Sequence, residues 1–400
     1  MIHIVVVYTL MTLGDLIFAQ EFLKEVRKLA SAHNDFALDL NREFLEIFPE
    51  NVFFSPESIF SILGMLFFGS TGNTHEELKN LLKHEEYGVA TNSLLRVSDY
   101  FIHELVNDER FHNGTEMRSV NYIITDETVN INSQYLMNIV EAYHAKDLKV
   151  DFSNHSDEAV IAINDLVKKH TSGKITSVVD SLDPSTKMVW LNAVYFNGLW
   201  KFEFDKSKTE KDFFYNLGKK SEKREIPFMK TTGLFRFTRL DNYKALELPY
   251  KGDDMNMLIL LPHELDGIET LIKSITETDL STIEDILEAV TVEVQLPKFS
   301  LNFEIEDLPK RLRNLGAEKI FDPQEADFSS MASNKGLFVS AMFHKAVIEV
   351  NEDGTEAAGV TGTVVNRSAG EEFKADHPFL FFIKEKNSKW ILFMGSVISP

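Results

Sequence analysis

The 400-residue chain contains no cysteine. That excludes a disulfide framework, thiol catalysis and the sulfur ligands of structural zinc, so any core is held by packing alone. Cations are short as well: 41 Lys and Arg stand against 62 Asp and Glu, a formal net charge of -21. Nucleic acid and anionic membrane surfaces need clustered Lys and Arg, and neither is an expected partner. Proline and glycine number only 11 and 19, and no Pro/Gly/Ser-rich tract or internal repeat divides the chain. One large domain over residues 20–400 is expected, not the two or three that length alone suggests. Beyond the N-terminus no apolar run is long enough to span a membrane. What is abundant is apolar material, 44% of residues with 32 Phe, enough for a big core without a metal or cofactor.

Catalytic patterns are missing too. Gly69-Ser70-Thr71-Gly72 is not a nucleophile elbow, and His75-Glu76-Glu77 and His84-Glu85-Glu86 lack the second His of a zinc helix, its place being taken by Lys79 and Gly88. There is no phosphate-cradling glycine loop. The chain is not expected to be an enzyme, and no metal site or cofactor is expected.

The first residues, MIHIVVVYTLMTLGDLIFAQ, form an apolar run ending in Ile17-Phe18-Ala19. Residues 1–19 read as a secretory signal cleaved before Gln20, which predicts a secreted, extracellular protein; the alternative is a buried N-terminal helix. Phe36, Leu40, Phe44 and Phe48 recur at four-residue spacing on a helix ended by Pro49. A short apolar strand, Val52-Phe53-Phe54, then runs into a helix with Ser55 as N-cap and Pro56 at its first position. Thr74-His75-Glu76-Glu77 reads as a capping box. Further helices are predicted over 90–106, 134–143 and 158–169, two more between 265 and 287, and one near Leu308 to Leu315. Strands are predicted over 117–124, 188–196, 290–296 and 337–350, with several short ones from 225 to 261. The stretch 90–106 has Arg96 as its only Lys or Arg, so it offers no electrostatic track for sulfated polysaccharide.

Between two apolar strand-like segments lies the run NEDGTEAAGVTGTVVNRSAGEE, residues 351–372. At strand period two, Thr355, Ala357, Gly359, Thr361 and Thr363 share a face that carries no charge and nothing large, so it could enter a sheet. Taken alone this is also an ordinary surface loop. Its flanks carry more: His344-Lys345-Ala346-Val347 followed by Glu352-Asp353-Gly354-Thr355-Glu356-Ala357-Ala358-Gly359, then Phe373-Lys374-Ala375-Asp376-His377-Pro378-Phe379-Leu380-Phe381, and Phe393-Met394-Gly395 near the end. These resemble the hinge and C-terminal signatures of the serpins, the serine protease inhibitors. Asn192-Ala193-Val194-Tyr195-Phe196-Asn197-Gly198-Leu199-Trp200 and the segment Asn51 to Ser58 resemble two more of their hallmarks, and the likeness covers about Phe36 to Pro400 in family order.

The resemblance implies a mixed α/β (α+β) domain of many helices around three β-sheets, with an exposed reactive-centre loop at about 351–372. It assigns Glu352, Gly354, Thr355, Glu356, Ala357 and Ala358 to the hinge, with Asp353 departing from the family's usual Glu. Ser55, Ser58, Asn192 and His344 would form the shutter where two central strands part, with a neutral His344 donating to Asn192 or Ser55. Trp200, Lys298 and Glu352 would form the breach where the loop first enters, Lys298 and Glu352 as an ion pair. The implied function is suicide inhibition of a serine protease by a monomer whose cleaved loop inserts as a new strand. The alternative is a non-inhibitory carrier or chaperone.

Counting back from Phe373 and Pro378 puts the scissile bond after Arg367, whereas counting forward from Glu352 puts it after Ser368. Arg367-Ser368 is favoured, because a guanidinium fills an acidic specificity pocket with bidentate bonds, and this points to a trypsin-like target. Cleavage after Ser368 would instead suit an elastase-like pocket. Asn113-Gly114-Thr115, Asn154-His155-Ser156 and Asn366-Arg367-Ser368 are glycosylation sequons in a secreted chain. Asn113 and Asn154 are expected to carry glycan, and Asn366, lying in the bait, is not.

Overall fold

The computed structural model of the protein describes residues 13–106, 114–352 and 370–400. Among them, nine α-helices enclose two hydrogen-bonded sheets. Helix α1 (Leu13–Glu43) buries Val26, Leu29, Phe36 and Leu40, a stripe at helical spacing that faces the core. It runs unbroken through Gln20, so residues 13–19, expected to leave as part of a signal, continue the same helix. Strand β1 (Val52–Phe54) follows, and then α2 (Pro56–Gly69) starts as predicted: Ser55 is extended, and its Oγ accepts from the Ser58 N–H at 3.2 Å. Nearly all of α2 is buried, which makes it the central helix.

Helix α3 (Gly72–Leu81) departs from the sequence reading. It begins two residues before Thr74, with Thr71 at the N-cap. Thr74 is buried and caps nothing; its Oγ1 accepts from the Asp327 N–H at 3.0 Å, a tertiary bond that local pattern cannot reveal. Helices α4 (Thr91–Val106) and α5 (Ser133–Tyr143) match their predictions within one residue. Helix α6 (Phe152–His170) starts six residues earlier than predicted, because Asp151 accepts from the Asn154 N–H and caps it there. The last three are α7 (Ile268–Ser274), α8 (Glu277–Ile286) and α9 (Leu308–Asn314).

The five-stranded sheet has β2 (Thr115–Asp126), β3 (Lys146–Val150), β4 (Met188–Gly198), β10 (Phe299–Glu304) and β11 (Ala341–Val350) in the order β10-β11-β4-β2-β3. The larger network holds β5 (Glu210–Tyr215), β6 (Lys223–Arg239), β7 (Tyr243–Pro249), β8 (Met255–Pro262), β9 (Glu288–Pro297), β12 (Glu371–Lys374), β13 (Phe379–Glu385) and β14 (Ile391–Val397) together with β1. The three sheets of the sequence reading are present, two of them joined into this network. The 17-residue β6 pairs with β5 and β9 along most of its length, and only Arg236 to Arg239 reach β7.

One continuous apolar core lies between the sheets and α2, including Phe36, Phe53, Phe54, Phe67, Phe381 and Phe393. A second, smaller cluster packs α6 on the opposite face of the five-stranded sheet through Phe152, Ile163 and Val167. Strand β4 is therefore covered on both faces, Trp190, Val194 and Phe196 toward the main core and Val189, Leu191 and Ala193 toward α6. This is why Met188 to Phe196 read as a nearly unbroken apolar run.

Candidate functional site

The site is the junction of β4 and β11. These strands pair directly and in parallel, Ala341 with Val189 through Ile348 with Phe196, so no strand lies between them. Their outer neighbours are antiparallel: β2 pairs with β4 and β10 with β11. A parallel pair is somewhat less stable per residue than an antiparallel one. The closed junction is thus a parallel seam between two antiparallel pairs; the edge pair of β2 and β3 is parallel as well.

Beneath the seam the expected shutter residues come together. His344 stands opposite Asn192, and Asn192 opposite Asn121. His344 shares its face with Met342, Ala346 and Ile348, all buried against the main core. The hydrogen bond to Ser55 has the opposite sense from the one expected: the backbone N–H of Ser55 donates to Nε2 of His344 at 3.0 Å. The ring therefore accepts there, and a neutral imidazole then carries its proton on Nδ1, which meets no partner among the described residues. Ser55 Oγ donates to the carbonyl of Leu392 at 2.9 Å and accepts from Ser58 Oγ at 3.0 Å. Asn192 turns to the other side and donates to Asn121 Oδ1 at 2.6 Å. Complete burial pushes His344 down to about 3, so it stays neutral.

Next to this cluster, in the first turn of α2, Glu57 accepts from Ser61 Oγ at 2.7 Å and from the indole N–H of Trp390, with His33 Nε2 3.8 Å away. The His33 ring stacks on Trp390 at 4.2 Å. Burial raises Glu57 to about 7 and pushes His33 down to about 3.

At the end of β11 the breach residues also assemble. Trp200 donates its indole N–H to the Asn351 carbonyl at 3.0 Å and stacks on Tyr250 at 4.7 Å. Gly198 makes the stack possible, since a Cβ there would fall 2.4 Å from the Tyr250 ring. The Lys298 and Glu352 pair measures 2.7 Å. It is not the surface pair that sequence alone suggests: Glu352 is 6% exposed and takes a second hydrogen bond from Thr209 Oγ1 at 2.7 Å. Burial works to raise the Glu352 carboxyl, but the bonds from Lys298 and Thr209 outweigh it and hold the carboxyl below its usual range.

Gly354, Thr355, Glu356, Ala357, Ala358, Arg367, Ser368 and Asn113 lie outside the described residues. Asn154 is exposed in the first turn of α6, its side-chain amide bonded to Asp151 at 2.9 Å. Sequence reasoning missed Asn121, Thr209 and the carbonyl partners on Leu392 and Asn351. Asn121 was findable as a polar residue within an apolar strand, whereas nothing local marks Thr209. Among the described residues no cluster of His, Asp and Glu could hold a metal ion, and no helix is long and apolar enough to cross a membrane.

Comparison with known proteins agrees with this geometry. The family profile for Serpin (serine protease inhibitor) matches residues 31–400. The chain belongs to the serpin family. It is 34% identical to Serpin B10 of Bos taurus over 402 aligned residues, covering 93% of this chain and 99% of that protein. It is 35% identical to the leukocyte elastase inhibitor A of Rattus norvegicus, covering 94% and 100%. Among solved structures, Arabidopsis AtSerpin1 in its native stressed conformation superposes with a TM-score of 0.83 at 29% identity, covering 94% of this chain and 98% of that one. Serpins are generally inhibitors of serine proteases.

Proposed function

We propose that this serpin traps a trypsin-like serine protease by inserting its cleaved reactive loop between β4 and β11. The observation that supports this best is the parallel seam. The chain leaves β11 at Val350, so a segment folding back from there runs antiparallel to β11 and, since β4 is parallel to β11, antiparallel to β4 as well. One inserted strand replaces a single parallel ladder with two antiparallel ones. At roughly 3.3 Å per residue, filling the eight-pair seam carries whatever is attached to the loop by about 25 Å. The face of Thr355, Ala357, Gly359, Thr361 and Thr363 suits that path, because it brings no charge into the core.

The chemistry belongs to the target. Its serine attacks the Arg367 carbonyl, the amine of Ser368 leaves, and the ester to Arg367 is dragged across the sheet before water resolves it. The hinge residues Gly354 to Ala358 lead the insertion. The breach pair Lys298 and Glu352 gates its start, and β4 and β11 part over the shutter Ser55, Ser58, Asn192 and His344 as it passes. The test is incubation with trypsin and with elastase, followed by denaturing electrophoresis and sequencing of the released peptide. An SDS-stable complex with trypsin and a peptide starting at Ser368 is expected. A peptide starting at Ala369, with a complex only for elastase, would move the target to the elastase class, which the 35% identity to a leukocyte elastase inhibitor also makes a specific alternative. Cleavage by both enzymes without any complex would favour a non-inhibitory carrier.

Secretion and glycan at Asn113 and Asn154 belong to the same proposal and rest on the sequence of residues 1–19 and the sequons. N-terminal sequencing and peptide mass spectrometry of protein recovered from the medium of an expressing cell line test them, Gln20 being the expected first residue.

A further inference from the structure

Two fully buried N–H donors stand beneath the seam with no acceptor among the described residues: Nε1 of Trp190 on β4 and Nδ1 of His344 on β11. A buried indole N–H ordinarily finds a partner, because leaving it unbonded forfeits the hydrogen bond it made to water. On one side of Trp190 an acceptor is at hand and goes unused. Trp190 lies opposite Ile123 of β2, and Thr125, on the same face of β2 as Ile123, lies opposite Met188 and so diagonal to Trp190. The Thr125 Oγ1 is itself buried and without a partner among the described residues, so the indole N–H is not spent toward β2. On the other side of Trp190 is the seam. There Trp190 is level with Met342, and Asn192 with His344, which sets the two donors on opposite strands two residues apart.

The segment proposed to insert carries hydroxyls at the same spacing. Residues directly opposite in an antiparallel pair share a face, and the core face of β11 is Met342, His344, Ala346, Ile348 and Val350. The uncharged face of the loop, Thr355, Ala357, Gly359, Thr361 and Thr363, has to meet these residues. A two-residue turn of Asn351 and Glu352 would set Asp353 opposite Val350 and bury its charge. The next turn of the right parity is Asn351 to Gly354, whose four residues are within the usual range for a hairpin. It puts Thr355 opposite Val350, Thr361 opposite His344 and Thr363 opposite Met342. As β4 and β11 part sideways Trp190 stays level with Met342, so Thr363 arrives between them.

We propose that Trp190 is a positioning residue for insertion, its indole N–H taken up by the Thr363 hydroxyl of the inserted strand. This rests on the insertion reading and adds a device that sets the register. A slip of two residues either way leaves one donor unpaired, since Gly359 would then face His344, or Val365 would face Trp190. Only the register with the four-residue turn gives both donors a hydroxyl, Thr361 for His344 and Thr363 for Trp190.

The experiment is nuclear magnetic resonance of the nitrogen-15-labelled full-length protein, which has three indole N–H groups, on Trp190, Trp200 and Trp390. Trp190→Phe assigns the first resonance, or Trp200→Phe and Trp390→Phe assign it by elimination where that variant does not fold. Spectra are recorded before and after cleavage of the loop by limiting trypsin, and calorimetry of the same samples reports whether insertion has taken place. The Trp190 resonance is expected to move downfield on cleavage. In cleaved Thr363→Val, which keeps the shape and loses the acceptor, it stays near its intact position and exchanges with solvent about fivefold faster than in the cleaved wild type, and Thr363→Ser restores both. A cleaved wild type that melts higher than the intact protein, with the Trp190 resonance unmoved or moved equally in Thr363→Val, overturns the role of Trp190 and leaves insertion standing. A cleaved wild type with no gain in melting temperature overturns insertion, and the role of Trp190 falls with it.

Discussion

Cutting the reactive loop should make the protein more stable, although a peptide bond has been lost. In the intact fold β4 and β11 share one parallel ladder of eight residue pairs. Insertion of the freed segment gives each strand its own antiparallel ladder, a gain of one ladder, or about eight backbone hydrogen bonds. At about 1 kcal/mol net for each bond, the stabilisation is of order 8 kcal/mol before any apolar burial is added. A chain of 400 residues at roughly 2.1 cal/mol/K per residue has an unfolding entropy near 0.8 kcal/mol/K, so the melting temperature should rise by about 10 °C or more. The assay is differential scanning calorimetry of intact protein and of protein nicked by limiting trypsin, with the nick located by mass spectrometry. Thr355→Arg supplies the control: its first inserting side chain would bury an unpaired charge, so the variant should be cut as a substrate and gain far less. Equal melting temperatures for intact and nicked wild type would refute the insertion argument and with it the inhibitory reading.

Four further outcomes follow from the same contacts. His344→Ala removes the acceptor for the buried Ser55 N–H and opens a cavity, which should cost about 2–4 kcal/mol in denaturant unfolding; a loss under about 0.5 kcal/mol would show that the shutter bond is incidental. Lys298→Ala leaves the buried Glu352 with Thr209 alone, and should cost about 1 kcal/mol while speeding spontaneous loop insertion, read as loss of inhibitory activity on standing. His33 and His344 at about 3 and His84 at about 4 are neutral in the fold but charge near 6.5 when unfolded, so their stability is present above 6.5 and drains away as pH falls; Glu57 at about 7 is lost in the opposite direction, as pH rises from 4.5 through 7. Between pH 6.5 and 5.5 the three histidines cost about 1 kcal/mol each and Glu57 returns about 1, a net loss of about 2 kcal/mol that urea titrations across this range would detect, while Glu57→Gln should make the loss steeper.

Much of the fold was legible because its signals are local. The N-cap Ser55 with Pro56, the stripe of Phe36 and Leu40, and the unbroken apolar run of β4 each carry their own pattern, and each element forms where the pattern lies. The helix starts that were misplaced have tertiary or side-chain causes. Thr74 looks like a cap and is spent on Asp327, and α6 begins early because Asp151 supplies a cap that the apolar periodicity does not need. That Ser55, Ser58, Asn192 and His344 lie near the seam was legible, but their bonds were not. A sequence gives the types His, Ser and Asn, whereas the direction of the Ser55 to His344 bond and the turning of Asn192 toward Asn121 depend on how α2 meets the sheet.

That difference changes how the seam would open in the proposed insertion. Had His344 donated to Asn192, the two strands would be tied to each other by side chains, and parting them would break that tie. Instead each strand is anchored separately, β11 to the start of α2 through His344 and Ser55, and β4 to β2 through Asn192 and Asn121. Separation of β4 from β11 then leaves both of these bonds intact, and what gives way is the eight-pair parallel ladder with the Ser340 to Met188 bonds at one end and the Trp200 to Asn351 bond at the other. As the strands move apart in that proposal, the Nδ1–H of His344, which meets no partner among the described residues, is free to bond to an inserted strand. On the proposed insertion, these polar bonds beneath the sheet do not oppose the parting of β4 and β11, and the cost of opening falls on the parallel pairing between them.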